Sequence, residues 1–134
     1  RHYAIFMGPE RAVRMSPTGD ALRCNLPFTL HNDTFVTPID PLLLVWSAVN
    51  RLSYGGRDLG KAEQGIPVLE ALKGITINAA RQGFEEGVKG SIEPGKFADF
   101  VVLDENPLAV DPMHLKDIEI AATIVGDVLA YGAL

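Results

Sequence analysis

One cysteine, three histidines and a deficit of positive charge set the first limits on what this chain of 134 residues can do. With Cys24 alone no internal disulfide can form, and a reducing, cytoplasmic setting is the expectation. The histidines, His2, His31 and His114, lie far apart in sequence, which argues against a metal site made of histidines alone. Twelve Lys and Arg against seventeen Asp and Glu leave a formal charge of −5, the wrong sign for a nucleic-acid partner. Long apolar runs are missing too. Stretches such as 42–46 fall far short of the ~20 residues that cross a bilayer, so no membrane partner is expected. The first seven residues lack the apolar stretch and cleavage signal of a secretory leader, and none is expected. No CxxC pair, GxxxxGK[ST] loop, GxGxxG turn or GxSxG elbow occurs. The length suits one domain with a real core, but not a complete eight-stranded α/β barrel, which needs ~200 residues or more.

What is present divides near Gly83: apolar residues recur at helical spacing before it and fall in short β-rich runs after it. Gly8-Pro9-Glu10-Arg11 has the grammar of a helix start, and Ser16-Pro17 repeats it, with Ser16 as N-cap and Asn25 as the stop. Leu26–Leu30 has the length and apolar content of a strand and leads into the polar triplet His31-Asn32-Asp33. Asp40-Pro41 opens a clear helix whose Leu42, Val45, Trp46, Val49 and Leu52 share a face. Arg51 then suits its negative dipole end, and Gly55-Gly56 stops it. Polar residues 57–65 read as a surface loop, and two more helices are expected, one opening at Pro67 and one over 75–82.

In the last third, Glu93-Pro94-Gly95-Lys96 fits a type II turn, and Ala98–Leu103 reads as a buried strand. Asp111-Pro112 caps a short helical turn, and strands over 118–125 and 128–131 flank a two-residue Gly126-Asp127 turn. So few strands do not make an independently stable sheet, and this segment needs a partner sheet.

Taken alone, Asp33 reads as a loop aspartate capping its own turn. Three stretches in order change that: Leu30-His31-Asn32-Asp33 with Pro38-Ile39-Asp40-Pro41, then Glu70-Ala71-Leu72 with Thr76-Ile77-Asn78-Ala79-Ala80, then Gly90-Ser91-Ile92-Glu93-Pro94-Gly95-Lys96-Phe97-Ala98-Asp99. Together they resemble the carboxy-terminal end of the amidohydrolase superfamily, in the branch of predicted metal-dependent hydrolases that includes N-substituted formamide deformylases; some relatives are labelled exoenzyme regulatory proteins. The resemblance implies an α/β fold: residues 1–83 as the last strand-and-helix units of a (β/α)₈ barrel, and residues 84–134 as carboxy-terminal strands of a small β-sandwich, the barrel being incomplete. It implies a small-molecule substrate of amide type, and hydrolysis of a C–N bond in an amide, formamide or cyclic amide by metal-activated water. Asp33 is implied as the catalytic carboxylate that takes the water's proton and returns it to the leaving amine, touching the metal only with ligands absent from this chain. A divalent metal, zinc by expectation, belongs to the longer parent; none is expected in this chain alone.

Each remaining candidate has a plainer reading. His31, two residues from Asp33, could make half a metal site, but too few ligands stand nearby and a structural role is preferred. Thr76 and Asn78 read as satisfying backbone groups, Trp46 as core, Cys24 as a buried small apolar residue, and His114 as facing solvent. Gly55-Gly56 reads as a helix stop before a lid hinge, and Asp99 as an anchor for the turn beside it. The leading expectation is a hydrolase fragment inactive in isolation. The alternative is a non-catalytic interaction or regulatory module on the same scaffold, able to form a homo-oligomer through exposed barrel or strand edges.

Overall fold

Gly8-Pro9 and Asp40-Pro41 each start a helix in the computed structural model, which describes residues 2–133. A wide π-type turn, His2–Met7, precedes α1 (Pro9–Ala12); α2 (Thr18–Arg23), α3 (Pro41–Asn50), α4 (Lys61–Gln64), α5 (Val68–Ile75) and α6 (Ile77–Gln82) follow. The second half holds β1 (Phe100–Leu103), a 3₁₀ helix over Pro112–Asp117, β2 (Ile120–Val125) and β3 (Val128–Gly132). The strands form one antiparallel sheet in the order β1-β2-β3. The architecture is thus α/β with a small antiparallel sheet.

The best-specified element is α3. Asp40 caps it, one carboxylate oxygen accepting from the Leu43 amide at 3.0 Å. Leu42, Val45, Ala48 and Val49 then bury one face against Ile66, Ala71 of α5, and Leu115 and Ile118 from the sheet side. A single core therefore spans the division in sequence pattern at Gly83. The contact between α3 and the 3₁₀ helix is also polar: Trp46 donates its indole N–H to Met113 O at 2.9 Å, and Asn50 donates to Pro112 O at 2.7 Å. Trp46 is thus partly core and partly a tether, with the Lys116 ammonium 5.8 Å from its ring centre.

The hairpin between β2 and β3 turns on Gly126 and Asp127, both at positive φ (56° and 68°), the backbone that matches the right-handed twist of paired strands. Asp99 accepts from the Gly126 amide at 2.8 Å, so it anchors this hairpin turn and not the Glu93–Lys96 turn beside it in sequence. Gly95 (φ 92°) and the Lys96 N–H to Glu93 O bond (3.2 Å) agree with the type II turn. Asp111 caps the 3₁₀ helix through the Met113 amide, and Asn25 takes the left-handed conformation after α2.

Five expectations need correction. Leu26–Leu30 forms no strand, because the chain brings no strand beside it; a ladder needs a neighbour. Its tie is instead to the helices: the Leu30 amide donates to Gly74 O at 3.1 Å. Glycine eases that approach, since a Cβ on Gly74 would stand 3.1 Å from Leu30 Cγ and the leucine would have to give slightly. Ser16 does not cap α2; the N-cap position is Pro17, with no side-chain hydrogen bond. The helix opened by Asp40 ends at Asn50, before Leu52 and well before Gly55-Gly56, because Arg51 itself adopts the left-handed conformation (φ 53°). Residues 57–65 are no simple surface loop: they contain α4, a bridge from Leu52 to Asp58, and a buried Gln64. Finally, β1 is not buried along its length: Val101 is 55% exposed and Val102 37%, while Leu103 packs against the core.

Among the described residues no helix is long and apolar enough to cross a membrane. Leu115 is fully buried in the shared core, so Leu115→Ala is expected to destabilise the fold by about 2–5 kcal/mol in chemical denaturation. A loss under about 1 kcal/mol would mean that the two halves do not share a core.

Candidate functional site

The segment that leads to Asp33 is held from behind by α5 and α6. Besides the Leu30–Gly74 bond, Asn78 donates to Phe28 O at 3.1 Å, and Thr29 donates its hydroxyl to Gln82 Oε1 at 2.8 Å. Thr76 in turn donates to Leu72 O at 2.8 Å. Thr76 and Asn78 thus satisfy backbone groups, as their helix-start reading implies.

Beyond Leu30 the chain leaves these supports. Asp33 has φ 51° and starts a turn closed by the Val36 N–H to Asp33 O bond at 2.8 Å. The Thr37 hydroxyl donates to Asn32 O across the base of that turn. So Asp33 organises its turn through its backbone and not its carboxylate, which is exposed and makes no hydrogen bond among the described residues. Two large apolar side chains of the same turn, Phe35 and Val36, are exposed with it.

His31 is also exposed, on the rim of a cleft of about 450 Å³. The start of α2, the Phe28–His31 segment and the face of α3 bearing Leu44, Ser47 and Ala48 line this cleft. Asp33 is not among the lining residues. Among the described residues, no three His, Cys, Asp or Glu side chains gather in a way that could hold a metal ion. The structure therefore places Asp33 and His31 near each other in sequence without assembling a metal centre around either. His114 faces solvent as expected, but Cys24, at the end of α2, is exposed and not buried. Gly55 and Gly56 lie in an exposed turn beyond the end of α3.

The floor of the cleft holds the residue that sequence reasoning misplaced. Arg51 is only 7% exposed. Its guanidinium donates to Ser16 O at 3.1 Å, to Leu59 O at 3.1 and 3.3 Å, and to Met15 O. Its own carbonyl accepts from the Leu59 amide at 2.7 Å. Burial pushes its pKa down, and the charge of Asp58 opposes that shift. Sequence placed Arg51 in the last turns of the helix, at its negative dipole end; nothing in the local pattern signals that it turns back to clamp the Met15–Ser16 segment and Leu59.

Beside it, Gln64 plays a similar part. Its carbonyl accepts from the Thr18 hydroxyl at 2.9 Å, and its side-chain oxygen accepts from the Asp20 amide at 3.1 Å. The Asp20 carboxyl is held below its usual range by its hydrogen bond to Arg23 first, with Gln64 and Arg14 adding to the effect. Arg14 pairs with Asp20 at 2.9 Å.

Comparison with known proteins follows the same boundaries. A model described as the amidohydrolase family matches residues 1–131. A Bacillus subtilis (strain 168) protein named as an amidohydrolase, YtcJ, is 37% identical over 103 residues, 75% of this chain and 19% of that protein. N-substituted formamide deformylase of Arthrobacter pascens is 29% identical over 122 residues, 91% of this chain and 22% of the enzyme. The crystal structure of an uncharacterized metal-dependent hydrolase from Pyrococcus horikoshii OT3 superposes with a TM-score of 0.66 at 29% identity, covering 79% of this chain and 22% of that one. The chain thus spans about a fifth of the length of the relatives it matches.

Two measurements check the electrostatics. Arg51→Met is expected to cost about 3 kcal/mol in denaturant unfolding, and Arg51→Lys nearly as much, since an ammonium cannot span three carbonyls; a neutral Lys variant would show that charge alone is needed. Because its folded pKa is depressed, Asp20 adds stability above its unfolded value, and that contribution is lost as pH falls through the folded value. In a carboxyl NMR titration Arg23→Ala should raise the Asp20 midpoint; an unmoved midpoint would remove Arg23 as the cause.

Proposed function

The chain belongs to the amidohydrolase family, and from that premise we propose that it is the carboxy-terminal part of a metal-dependent hydrolase that cleaves C–N bonds of amides, formamides or cyclic amides. Residues 1–83 would supply the end of the barrel, and 84–134 the strands of a small sandwich. The observation that carries the reading is Asp33 itself: an exposed carboxylate without a partner among the described residues, at the head of a turn that follows a segment pinned to α5 and α6.

Such a carboxylate can do general acid–base work. It accepts a proton from the attacking water as the new C–O bond forms, and delivers that proton to the nitrogen as the C–N bond breaks. The products are an acid and an amine. The described residues do not fit a metal site, so no step is derived through the metal. A divalent metal, zinc by expectation, would be held mainly by residues outside this chain and would supply Lewis-acid polarisation. The substrate would be a small amide-type molecule, and the exposed Cys24 suits a reducing, cytoplasmic compartment.

A second reading has its own observation. β1 and β3 are both free edges of the sheet, and every residue of β3 is exposed, with Val128 at 66% and Tyr131 at 62%. A non-catalytic module that pairs through these edges, with a second copy among its options, would use them directly.

With zinc added and a panel of amides and formamides supplied, the 134-residue chain is expected to show no turnover. In the intact hydrolase Asp33→Asn is expected to lower kcat by about 10²–10⁴-fold with unchanged folding. Metal-dependent turnover by the short chain, or an intact Asp33→Asn enzyme of normal rate, would overturn the proposal; a folded, inactive, strand-paired dimer favours the module.

A further inference from the structure

Buried charge normally comes with a counter-charge, because an ion loses its hydration on burial and dipoles restore only part of it. Arg51 is an exception. It is buried, yet no carboxylate among the described residues lies within ion-pair distance, Asp58 acting on it only from farther away; its hydrogen-bond partners are the carbonyl oxygens of Met15, Ser16 and Leu59. A guanidinium has five N–H groups. The four hydrogen bonds it makes leave one hydrogen on Nη1, the nitrogen bound to Ser16 O. Ser16 and Arg51 both line the cleft of about 450 Å³, and the Nη1–Ser16 O bond joins these two lining residues.

The rest of the lining is divided by chemistry. Ala21, Phe28, Leu30, Leu44 and Ala48 make an apolar body. The hydroxyls of Ser16 and Ser47, unlike those of Thr18 and Thr29, make no hydrogen bond among the described residues. A mostly apolar cleft of a few hundred Å³ with a small convergent polar end has the make-up of a small-molecule site. The polar end here is one cation and two free hydroxyls, which suits a single anionic head, and the apolar walls suit a hydrocarbon tail.

We infer that this cleft binds a small monocarboxylate, its head group at Arg51, Ser16 and Ser47 and its apolar body against Phe28, Leu30 and Leu44. The site is independent of Asp33, which does not line the cleft, and stands whether or not the chain is part of a hydrolase. A carboxylate is favoured over an inorganic anion because most of the wall is hydrocarbon and would leave a phosphate's remaining oxygens without donors.

Isothermal titration of the full chain with hexanoate, hexanamide and inorganic phosphate tests this. Hexanoate is expected to bind saturably, with hexanamide and phosphate each at least about tenfold weaker, since only the first offers both charge and tail. Leu44→Trp, which fills the cleft from the wall, should abolish hexanoate binding. Ser47→Asp, which supplies the missing counter-charge from within, should also abolish it while raising the melting temperature, a readout that a merely disrupted fold would reverse. Equal binding of acid and amide, retention of binding by folded Leu44→Trp, or a lowered melting temperature for Ser47→Asp would each overturn the inference.

Discussion

The fold of the first half depends on one buried cation. Arg51 ends α3 by turning into the left-handed conformation, and that turn sends its side chain back beneath the helix to the carbonyls of Met15, Ser16 and Leu59. Three stretches distant in sequence are thereby fixed against one another: the link between α1 and α2, the end of α3, and the approach to α4. The hydrogen bonds of Gln64 to Thr18 and Asp20 lie on the same side and complete the join. With α2 and α4 so placed, the face of α3 is left for Ile66, Ala71 and Leu115. Charge-assisted hydrogen bonds of this kind are stronger than neutral ones, which is how a guanidinium with no carboxylate beside it can be tolerated in a core.

Helices were readable where local chemistry decides them. Asp40-Pro41 writes its own cap, and the spacing of Leu42, Val45 and Val49 writes the buried face. Gly126-Asp127 and Pro94-Gly95 likewise declare their turns, because few residues accept their backbone angles. What was not readable depends on distant partners. Leu26–Leu30 has the composition of a strand, but composition does not provide a neighbour to pair with. The role of Gln64 is set by the Thr18 hydroxyl and the Asp20 amide, and the inward turn of Arg51 by the carbonyls of Met15 and Ser16, all more than thirty residues away, which no local window contains.

The candidate site shows the same division. Motif order pointed to Asp33, and the structure places it exposed, at the head of a turn, with its carboxylate uncommitted. It also shows that this chain contributes a single acidic side chain there and no cluster, at least among the described residues. The exposed faces of β1 and β3, and the apolar Phe35 and Val36 beside Asp33, stand in a chain that spans about a fifth of the length of the relatives it matches.

The turn between Ser53 and Arg57 has a practical consequence. The Ser53 amide donates to Arg57 O at 2.9 Å, the Leu52–Asp58 bridge lies next inward, and the Arg51–Leu59 bond closes the base, so the loop hangs from a ladder that does not depend on its tip. Tyr54 and Gly55 touch solvent, and a Cβ on Gly55 would meet nothing within 4 Å. Loop tips of this sort accept foreign sequence readily, which makes Gly55-Gly56 the natural place to splice in an epitope or a fluorophore-bearing peptide without disturbing the packed interior.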